Sequence, residues 1–261
     1  MTSKNGSGGA YSGDYLSWED AARDSTGYDA ARILGKVRDS LLKVKRGKAA
    51  YERDAVLFKR IQHPFPLLAF LLRIGVENGN RLRLVDFGGS LGTTYFQTRE
   101  FLSALKEIRW AIVEQPHFVA CGKEMFADGR LSFHDSIAEA QAVTGANTAL
   151  FSGSIGYLRE PEVVLDSILT GNFQWVIFDR TAFIDAPKTR IAVQTVPEWI
   201  YGASYPIRLF NRADLLSRFR DRFEFIAGFE SYCDAPETIG GVRVCHEGYV
   251  LKNRARSNIA G

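Results

Sequence analysis

From residue 82 onward, short runs rich in aliphatic and aromatic residues alternate with segments whose apolar residues recur at helical spacing. The runs that predict strands are RLRLVDF, RWAIVEQ, RLSFHD, NTALFSG and QWVIFDR. The segments between them, which predict helices, are 93–107, 116–127, 136–144 and 160–170. Strands that alternate with helices in this way favour a parallel sheet covered by helices on both faces, with right-handed crossovers.

The end of the chain departs from this alternation. NRADLLSRFRD predicts a helix capped by Asn211, and two strand-like runs follow it, RFEFIAGFES and GVRVCHEGYVLKN. The intervening YCDAPETIG makes these runs a hairpin, so the last strand should enter the sheet antiparallel. The whole pattern predicts a doubly wound, Rossmann-like α/β sheet of seven strands with an antiparallel last strand.

The pattern also divides the chain into segments. Residues 1–14 are Gly/Ser-rich without the apolar core of a targeting segment, which predicts a flexible tail. Residues 15–78 predict a helical N-terminal extension without strands, with helices near 17–22 and 30–46 and a core helix in PFPLLAFLLRIGV. Residues 79–261 are the sheet domain, and 181–210, poor in helical periodicity, are expected to be a functional or mobile insertion.

Composition adds limits to this picture. The chain has 261 residues, 46% hydrophobic and 24% charged, which suits one large globular domain. The net charge is +3 with Lys and Arg spread along the chain, so we expect no nucleic-acid partner. No apolar run is long enough to cross a bilayer. Three cysteines without a CxxC pair indicate reduced thiols in a cytoplasmic protein.

The stretch RLRLVDFGGSLGTTYF places three glycines and a serine within five positions directly after a strand. Glycines there let the backbone turn sharply and let a ligand approach main-chain N–H groups. The start of the next helix adds its partial positive charge. A tight turn without a ligand needs only one glycine, so the stretch predicts a nucleotide-type binding site.

The spacing of the glycines separates two kinds of nucleotide. The dinucleotide pattern G-x-G-x-x-G falls on Gly88, Ser90 and Thr93, which is a poor match. An acid followed by x-G-x-G-x-G fits Asp86, Gly88, Ser90 and Gly92, with serine as a conservative departure. In that arrangement the acid faces the amino group of the cationic methionyl part of S-adenosylmethionine. The spacing therefore favours S-adenosylmethionine over NAD.

The tips of the next two strands support a nucleoside. Glu114 ends the second strand, where a carboxylate can accept both ribose hydroxyls of either cofactor. In FHDS, Asp135 or Ser136 is placed to accept from the adenine amine, although Asp–Ser is equally a helix cap. The predicted cofactor-binding residues are Asp86, Phe87, Gly88, Gly89, Ser90, Gly92, Glu114, Gln115, Asp135, Ser136, Ser152 and Gly153.

An acceptor should lie beyond the carboxyl ends of the strands, where the strand order reverses. The fourth strand tip, LFSGSIGYL, is expected there, and residues 181–210 add aromatic and arginine side chains that suit sugars and phosphates. The predicted substrate-binding residues are Ser154, Tyr157, Trp199, Tyr201, Tyr205 and Arg208. We expect this insertion and the N-terminal helices to form a lid; a homodimer interface is the rival interpretation, and the two can coexist.

Three residues are candidates for catalysis. His134 lies near the tip of the third strand, although a capping or surface histidine is the favoured interpretation. Asp179 and Arg180 end the fifth strand and either hold or deprotonate an acceptor or form a structural ion pair. No cluster of His, Cys and carboxylates has metal-ligand spacing, so we expect no metal.

Several segments resemble one family: VDFGGSLGTTYFQTREFL, WAIVEQPHFVACGKEMF, LFSGSIGYLREP and VIFDRTAF. They are similar to methyltransferases encoded among bacterial surface-polysaccharide biosynthesis genes. GYDAARILGKV, YERDAVLF and VPEWIYGASYPIRLF extend the resemblance over nearly the whole chain after the tail. The resemblance implies a class I methyltransferase fold that uses S-adenosylmethionine and releases S-adenosylhomocysteine, but it supplies no acceptor.

Together these features predict a cytoplasmic methyltransferase acting on a small molecule, with a hydroxyl of a sugar or glycan precursor as the favoured acceptor. Two alternatives stay open. A methyltransferase-like binding subunit without turnover is one, because the sequence offers no convincing base. An NAD-dependent enzyme of nucleotide sugars is the other, disfavoured by the glycine spacing and by the lack of a Tyr-x-x-x-Lys pair after the fourth strand.

Overall fold

The computed structural model describes residues 10–27 and 30–256 of the chain. The part of the predicted flexible tail that precedes residue 10 lies outside these ranges. The strands are β1 (Ala10–Tyr15), β2 (Tyr51–Arg53), β3 (Val56–Phe58), β4 (Arg81–Phe87), β5 (Glu107–Val113), β6 (Leu131–His134), β7 (Thr148–Ser152), β8 (Trp175–Ile184), β9 (Arg190–Val196), β10 (Ala203–Leu209), β11 (Phe223–Glu230), β12 (Glu237–Ile239) and β13 (Val242–Asn253).

Helices connect most of these strands. They are α1 (Trp18–Arg23), α2 (Ala30–Lys45), α3 (Phe65–Glu77), α4 (Thr93–Leu102), α5 (Pro116–Met125), α6 (Ile137–Thr144), α7 (Pro161–Thr170) and α8 (Arg212–Ser217). Two single turns of 3₁₀ helix, Ile155–Tyr157 and Arg254–Arg256, complete the described elements. Asn211 caps α8 as predicted, because its side chain accepts from the backbone N–H of Asp214.

The main sheet has the spatial order β6-β5-β4-β7-β8-β13-β11, with β12 paired to β13 alone. Pairs among β4 to β8 are parallel, whereas β13 is antiparallel to both β8 and β11. The sheet is therefore doubly wound with an antiparallel last strand, as predicted, but β12 makes eight strands and not seven. The order reverses between β4 and β7, and ligands of such sheets bind at that point.

Both faces of the main sheet are buried. Leu84 of β4 packs on one face with Leu71 of α3 and Trp110 of β5, whereas Val85, the next residue, packs on the other face with Phe151. Successive strand residues point to opposite faces, so a strand covered on both sides must be apolar throughout. The near-continuous apolar run of β4 follows from this burial.

The insertion at 181–210 is more regular than predicted. Residues 181–184 continue β8, and β9 and β10 form an antiparallel hairpin that β1 extends to three strands. The prediction of a flexible tail is therefore wrong from residue 10 onward, because β1 pairs with β9. ASYPIRL alternates apolar and polar positions with a period of two, which is typical of a strand and not of an irregular loop, whereas RIAVQTV alternates less regularly.

The N-terminal extension is also not purely helical. Residues 51–58 form the β2–β3 hairpin, whose turn residues Asp54 and Ala55 have φ angles of 52° and 65°. Such a turn usually carries Asn-Gly or Asp-Gly. Without a glycine, the segment YERDAVLF lacks the usual hairpin signal, which is why the sequence pattern did not predict these strands.

Two other features concern the whole described chain. Cys121, Cys233 and Cys245 are all free thiols. Across residues 10–27 and 30–256, no helix has both the length and the apolar character that a membrane span requires.

Candidate functional site

A cavity of about 790 Å³ opens at the carboxyl ends of β4, β5 and β7. Its lining includes the turn after β4, the tips of β5 and β7, and residues from the N-terminal extension and the β9–β10 hairpin. This is the place at which the strand order of the main sheet reverses. The predicted cofactor residues and the insertion therefore meet at one cavity, which we treat as the candidate site.

The turn between β4 and α4 has an unusual backbone. Gly88, Ser90 and Gly92 have φ angles of 69°, 55° and 106°, so the left-handed conformation falls on alternate positions. These are the three positions that the x-G-x-G-x-G pattern reserves for glycine. Ser90 adopts a left-handed conformation that costs a non-glycine residue about 1 kcal/mol or more. The backbone of the site is therefore strained at Ser90, where the pattern has a glycine.

Close approach explains two further glycine positions. A Cβ on Gly88 would lie 2.5 Å from Cβ of Ser154, which follows β7. A Cβ on Gly89 would lie 2.6 Å from the carboxylate of Asp86. The hydroxyl of Ser154 donates to the carbonyl of Phe87 at 2.6 Å, so the tips of β4 and β7 are locked together. No side chain fits at either glycine without displacing this packing.

Asp86 does not reach the cavity, contrary to its predicted contact with the cofactor. Its side chain is 0% exposed, and one carboxylate oxygen accepts from the indole N–H of Trp110 at 2.9 Å. The other oxygen, Oδ1, has no hydrogen-bond partner among the described residues. Burial raises the pKa of Asp86 to about 7, and the nearby Glu114 and Asp179 carboxylates add to the rise. Asp86 therefore stabilises the turn by packing under Gly89 and does not contact the cavity.

This burial leads to a prediction about stability. Burial raises the pKa of both Asp86 and Glu52 to about 7, so the folded chain binds these protons more tightly than the unfolded chain does. The free energy of unfolding of the ligand-free protein should therefore fall as pH rises from about 4 to about 7. Asp86→Asn should make this pH dependence shallower, which urea unfolding at about pH 5 and about pH 7.5 will measure.

The matched control is Asp221→Asn, because the Asp221 side chain is 95% exposed. It should leave the pH dependence of stability as in the wild type. If Asp86→Asn shows the same pH dependence of stability as the wild type, as the control does, the Asp86 carboxyl does not have a raised pKa in the folded protein and the prediction is wrong.

Glu114 lines the cavity at the tip of β5. Its Oε1 accepts from the backbone N–H of Ser90 at 3.2 Å, and its Oε2 accepts from that of Gln115 at 2.9 Å. A carboxylate has about four lone-pair sites, so roughly two remain for a ligand. Burial raises the pKa of Glu114, and the two backbone N–H groups oppose this rise. Glu114 thus joins two strand tips and still presents acceptor oxygens to the cavity.

The remaining predicted cofactor residues divide into two groups. Those that line the cavity with Glu114 are Phe87, Gly88, Gly89, Ser90, Gln115, Asp135, Ser152 and Gly153. Gly92 and Ser136 are not among the lining residues. Ser136 is the N-cap of α6, where its hydroxyl accepts from the backbone N–H of Glu139, so the helix-cap interpretation holds for it.

Two of the three catalytic candidates are held inside the protein. His134 is buried, with its ring nitrogens bonded to Ser132 at 2.9 Å and Glu139 at 3.2 Å, and it does not line the cavity. Asp179 is also buried, and it accepts from the hydroxyl of Ser152 at 2.7 Å. Neither is placed to take a proton from an acceptor, which corrects both assignments. Arg180 does line the cavity.

The predicted substrate residues also separate. Ser154, Tyr157, Tyr201 and Tyr205 line the cavity, where the Tyr201 and Tyr205 hydroxyls lie 2.9 Å apart. Trp199 is 67% exposed and is not among the lining residues. Arg208 also lies off the cavity, donating to the backbone carbonyl of Arg159 and stacking on Trp18. The tyrosines therefore belong to the site, whereas Trp199 and Arg208 do not.

The cavity also has lining residues that the sequence did not suggest. The polar and ionisable ones include Tyr11, Glu52, Arg53, Asp54, Gln194, Asp234 and His246. Each lies in a strand, a hairpin turn or a loop that is distant in the chain from the glycine turn. The one available signal was His246, an ionisable residue inside the strand run GVRVCHEGYVLKN.

Several solved structures are similar to this chain. One is the N-terminal domain of EvdMO1 in the presence of SAH (S-adenosylhomocysteine) and D-fucose, 15% identical, with a TM-score of 0.48 over 78% of this chain and 90% of that one. Another is the Burkholderia thailandensis 1,6-didemethyltoxoflavin-N1-methyltransferase with bound 1,6-didemethyltoxoflavin and SAH, 14% identical, with a TM-score of 0.44 over 87% and 91%.

A third is SAM-bound CalS10, an amino pentose methyltransferase from Micromonospora echinaspora, 13% identical, with a TM-score of 0.43 over 72% of this chain and 90% of that one. Each of the three was solved with SAM (S-adenosylmethionine) or SAH. No family model matches the chain, and no curated protein does.

Proposed function

We propose that this protein is a methyltransferase that uses S-adenosylmethionine and transfers its methyl group to a small acceptor, a hydroxyl of a sugar or glycan precursor. The observation that carries the proposal is the glycine turn after β4. Left-handed backbone conformations fall there on positions 88, 90 and 92, and the backbone N–H of residue 90 donates to Glu114 on the next strand tip, at the point where the sheet order reverses. The sequence resemblance adds a setting in bacterial surface-polysaccharide synthesis.

The residues present fit this cofactor. Glu114 has free lone pairs for a ribose diol, and Asp135 is an exposed acceptor on the cavity wall, suited to an adenine amine. Gly88 and Gly89 line the cavity, and the absence of a Cβ at each lets the turn pack closely on Ser154 and Asp86. When bound, the cofactor supplies a methyl group on a positively charged sulfur.

The role of the chain is then to position the acceptor and to exclude water. Tyr157, Tyr201 and Tyr205 supply hydroxyls and apolar ring faces beside the β7 tip. Holding two reactants in line contributes roughly 7–11 kcal/mol to lowering a barrier. The aromatic and hydroxyl-rich wall supports an acceptor with an apolar ring face and several hydroxyls, such as a sugar.

Calorimetry tests the cofactor directly. Titration of the purified protein with S-adenosylmethionine and with S-adenosylhomocysteine should give saturable heats for both. NADH should give none, because the glycine spacing departs from the dinucleotide pattern. The absence of heat with either sulfur ligand at millimolar concentration, or tight binding of NADH, would contradict the proposal.

A second candidate function is a methyltransferase-like subunit without turnover. One observation favours it: neither His134 nor Asp179, the two bases suggested by the sequence, lines the cavity. This candidate predicts that the cofactor binds unproductively or not at all while a partner enzyme co-purifies. Release of S-adenosylhomocysteine in the presence of an acceptor separates the two functions.

The proposal includes a cytoplasmic location and a lid formed by the N-terminal extension and the β9–β10 hairpin. The cavity wall supports the lid, since Trp18 and Ile33 from one segment and Val196 and Ile200 from the other line it. A homodimer interface near the exposed Trp199 is compatible with the lid. Light scattering of the purified protein tests the dimer.

A further inference from the structure

One part of the cavity wall lies outside the glycine turn and the strand tips that suit the cofactor. We call it the acceptor end and define it by Tyr11, Tyr157, Arg180, Gln194, Asp234 and His246, all of which line the cavity. Four of these residues lie in the strands β1, β8, β9 and β13. Tyr157 lies in the 3₁₀ turn that follows β7, and Asp234 lies in the loop that follows β11. Their chemistry determines which acceptor fits there.

The acceptor end is poorly suited to an anion. Arg180 donates from Nε to Asp234 at 2.9 Å and from Nη2 to the second oxygen of Asp234 at 3.3 Å. The same Nη2 lies 3.5 Å from a carboxylate oxygen of Asp54, at the turn of the β2–β3 hairpin. A phosphate would therefore meet a guanidinium that two carboxylates already neutralise, together with the repulsion of those carboxylates.

The other arginine of the cavity is also engaged. Arg53 donates from Nη1 to the side chain of Gln62 at 3.0 Å, and its guanidinium lies 5.1 Å from the ring centre of Phe58 and 5.9 Å from that of Tyr232. The other polar groups of the acceptor end are hydroxyl, amide and imidazole groups that pair with one another, Tyr157 with Gln194 at 2.7 Å and Tyr11 with His246 at 2.9 Å. They match an uncharged molecule with several hydroxyls.

His246 forms a hydrogen-bonded pair with Tyr11. Its Nε2 lies 2.9 Å from the hydroxyl of Tyr11, and its Nδ1 is buried without a hydrogen-bond partner among the described residues. Burial lowers the pKa of His246; the Arg180 guanidinium adds to this effect, and the Asp234 carboxylate opposes it. The imidazole is therefore neutral near pH 7, which is the form that can accept a proton.

No other histidine shares this position. His134 is bonded inside the protein, and neither His63 nor His117 is among the cavity-lining residues in the described part of the chain. Tyr11 holds the His246 ring by its hydrogen bond, with ring centres 6.1 Å apart. Tyr11 and His246 both line the cavity, so a proton from an acceptor can reach Nε2 of His246 through the hydroxyl of Tyr11.

We propose that the acceptor end binds an uncharged, hydroxyl-bearing ring such as a pyranoside, and that His246 takes the proton of the reacting hydroxyl through the hydroxyl of Tyr11. This proposal rests on the proposed methyl transfer and names its acceptor class and base. The acceptor oxygen forms a bond to the methyl carbon as the carbon–sulfur bond breaks, and the electron pair of that bond stays on sulfur. The hydroxyl proton passes to the oxygen of Tyr11 as the proton of Tyr11 passes to Nε2 of His246, and the Asp234 carboxylate stabilises the resulting imidazolium before the proton leaves to water.

The acceptor class is tested with the full-length protein and S-adenosylmethionine labelled in its methyl group. The probes are methyl glycosides of common pyranoses and deoxypyranoses, each compared with the 1-phosphate of the same sugar. At least one neutral glycoside should be methylated, with a kcat/KM at least tenfold above that of its phosphate. Equal or better transfer to the phosphates would overturn the acceptor class, and so would no transfer to any glycoside by protein that still binds S-adenosylhomocysteine.

The base is tested with His246→Gln. This variant should lower kcat for the methylated glycoside by about 10²–10⁴-fold while its heat of binding to S-adenosylhomocysteine stays unchanged. The wild type should lose activity as pH falls through the lowered pKa of His246, and the variant should lack this limb. His63→Gln, which changes a histidine away from the cavity, should behave as the wild type.

Two further measurements separate a base from a structural histidine. His246→Gly should recover activity with added imidazole, whereas a purely structural role would not allow rescue. In the ligand-free protein, NMR should show the His246 ring titrating below an ordinary histidine, and Tyr11→Phe should shift that titration. Full activity of His246→Gln, or no rescue of a folded His246→Gly, would overturn the role of His246. Loss of cofactor binding in the wild type would instead contradict the methyltransferase proposal itself.

Discussion

Replacement of Gly88 by valine is expected to weaken binding of S-adenosylhomocysteine at least a hundredfold and to lower the free energy of unfolding by about 1–3 kcal/mol. Gly88 has a φ angle of 69°, which a β-branched residue adopts only under strain. Its new Cβ would lie 2.5 Å from Cβ of Ser154 and would force the tips of β4 and β7 apart. Calorimetry measures the binding, and urea unfolding measures the stability.

Gly129→Val is the matched control for this prediction. Gly129 lies on the surface after α5, its φ is not in the left-handed region, and a Cβ there would meet no atom within 4 Å. It should keep the binding of the wild type. If the valine variant does not fold, Gly88→Ala is measured in its place, because it also adds a Cβ at this position but is a milder change. Binding of wild-type strength by a folded Gly88 variant would show that this turn does not cradle the ligand.

Loss of the Glu114 carboxylate is the second change with a large expected effect. Glu114→Ala should weaken binding of S-adenosylhomocysteine about tenfold to a hundredfold, since hydrogen bonds to a charged group contribute about 1.5–3 kcal/mol. The substitution also removes the acceptor of the Ser90 and Gln115 N–H groups, so the strained turn loses its support. Glu114→Gln should be impaired as well, because an amide nitrogen cannot accept from a diol.

A double-mutant cycle isolates the contact with the ribose. Adenosine and 2′,3′-dideoxyadenosine are titrated into the wild type and into Glu114→Gln. The wild type should prefer adenosine strongly, and the variant should bind the two nucleosides almost equally. The control variant is Glu124→Gln, an exposed glutamate on α5, which should retain the preference for adenosine. An unchanged preference in Glu114→Gln would place the ribose elsewhere.

The acceptor end is built from residues that lie far apart in the sequence. The hydrogen bond between Tyr11 and His246 joins residues separated by 235 positions, and Arg180 meets Asp54 across 126 positions. No motif of a few residues records such contacts. The sequence suggested His134 and Asp179 as bases because both follow strand runs, yet packing turned both side chains inward. A pattern locates the end of a strand, but neighbouring elements decide which way its last side chains point.

The sequence by itself determined the part of the site that local physics controls. A strand, three permissive positions at 88, 90 and 92 and a following helix form one continuous segment, and the spacing alone predicts its turn. The position of Glu114 beside this turn follows from the parallel pairing of β4 with β5. Alternation with a period of two was also present in β10, although a two-residue period does not specify which strand will be the partner.

Only the tertiary structure decided which groups face the cavity. Asp86 is covered because the turn folds back over it until Gly89 touches its carboxylate, and Arg180 is neutralised because the β2–β3 hairpin and the loop after β11 bring carboxylates to it. The physical reason is that burial and charge pairing are properties of three-dimensional neighbours, whereas backbone conformation depends mainly on each residue and those beside it.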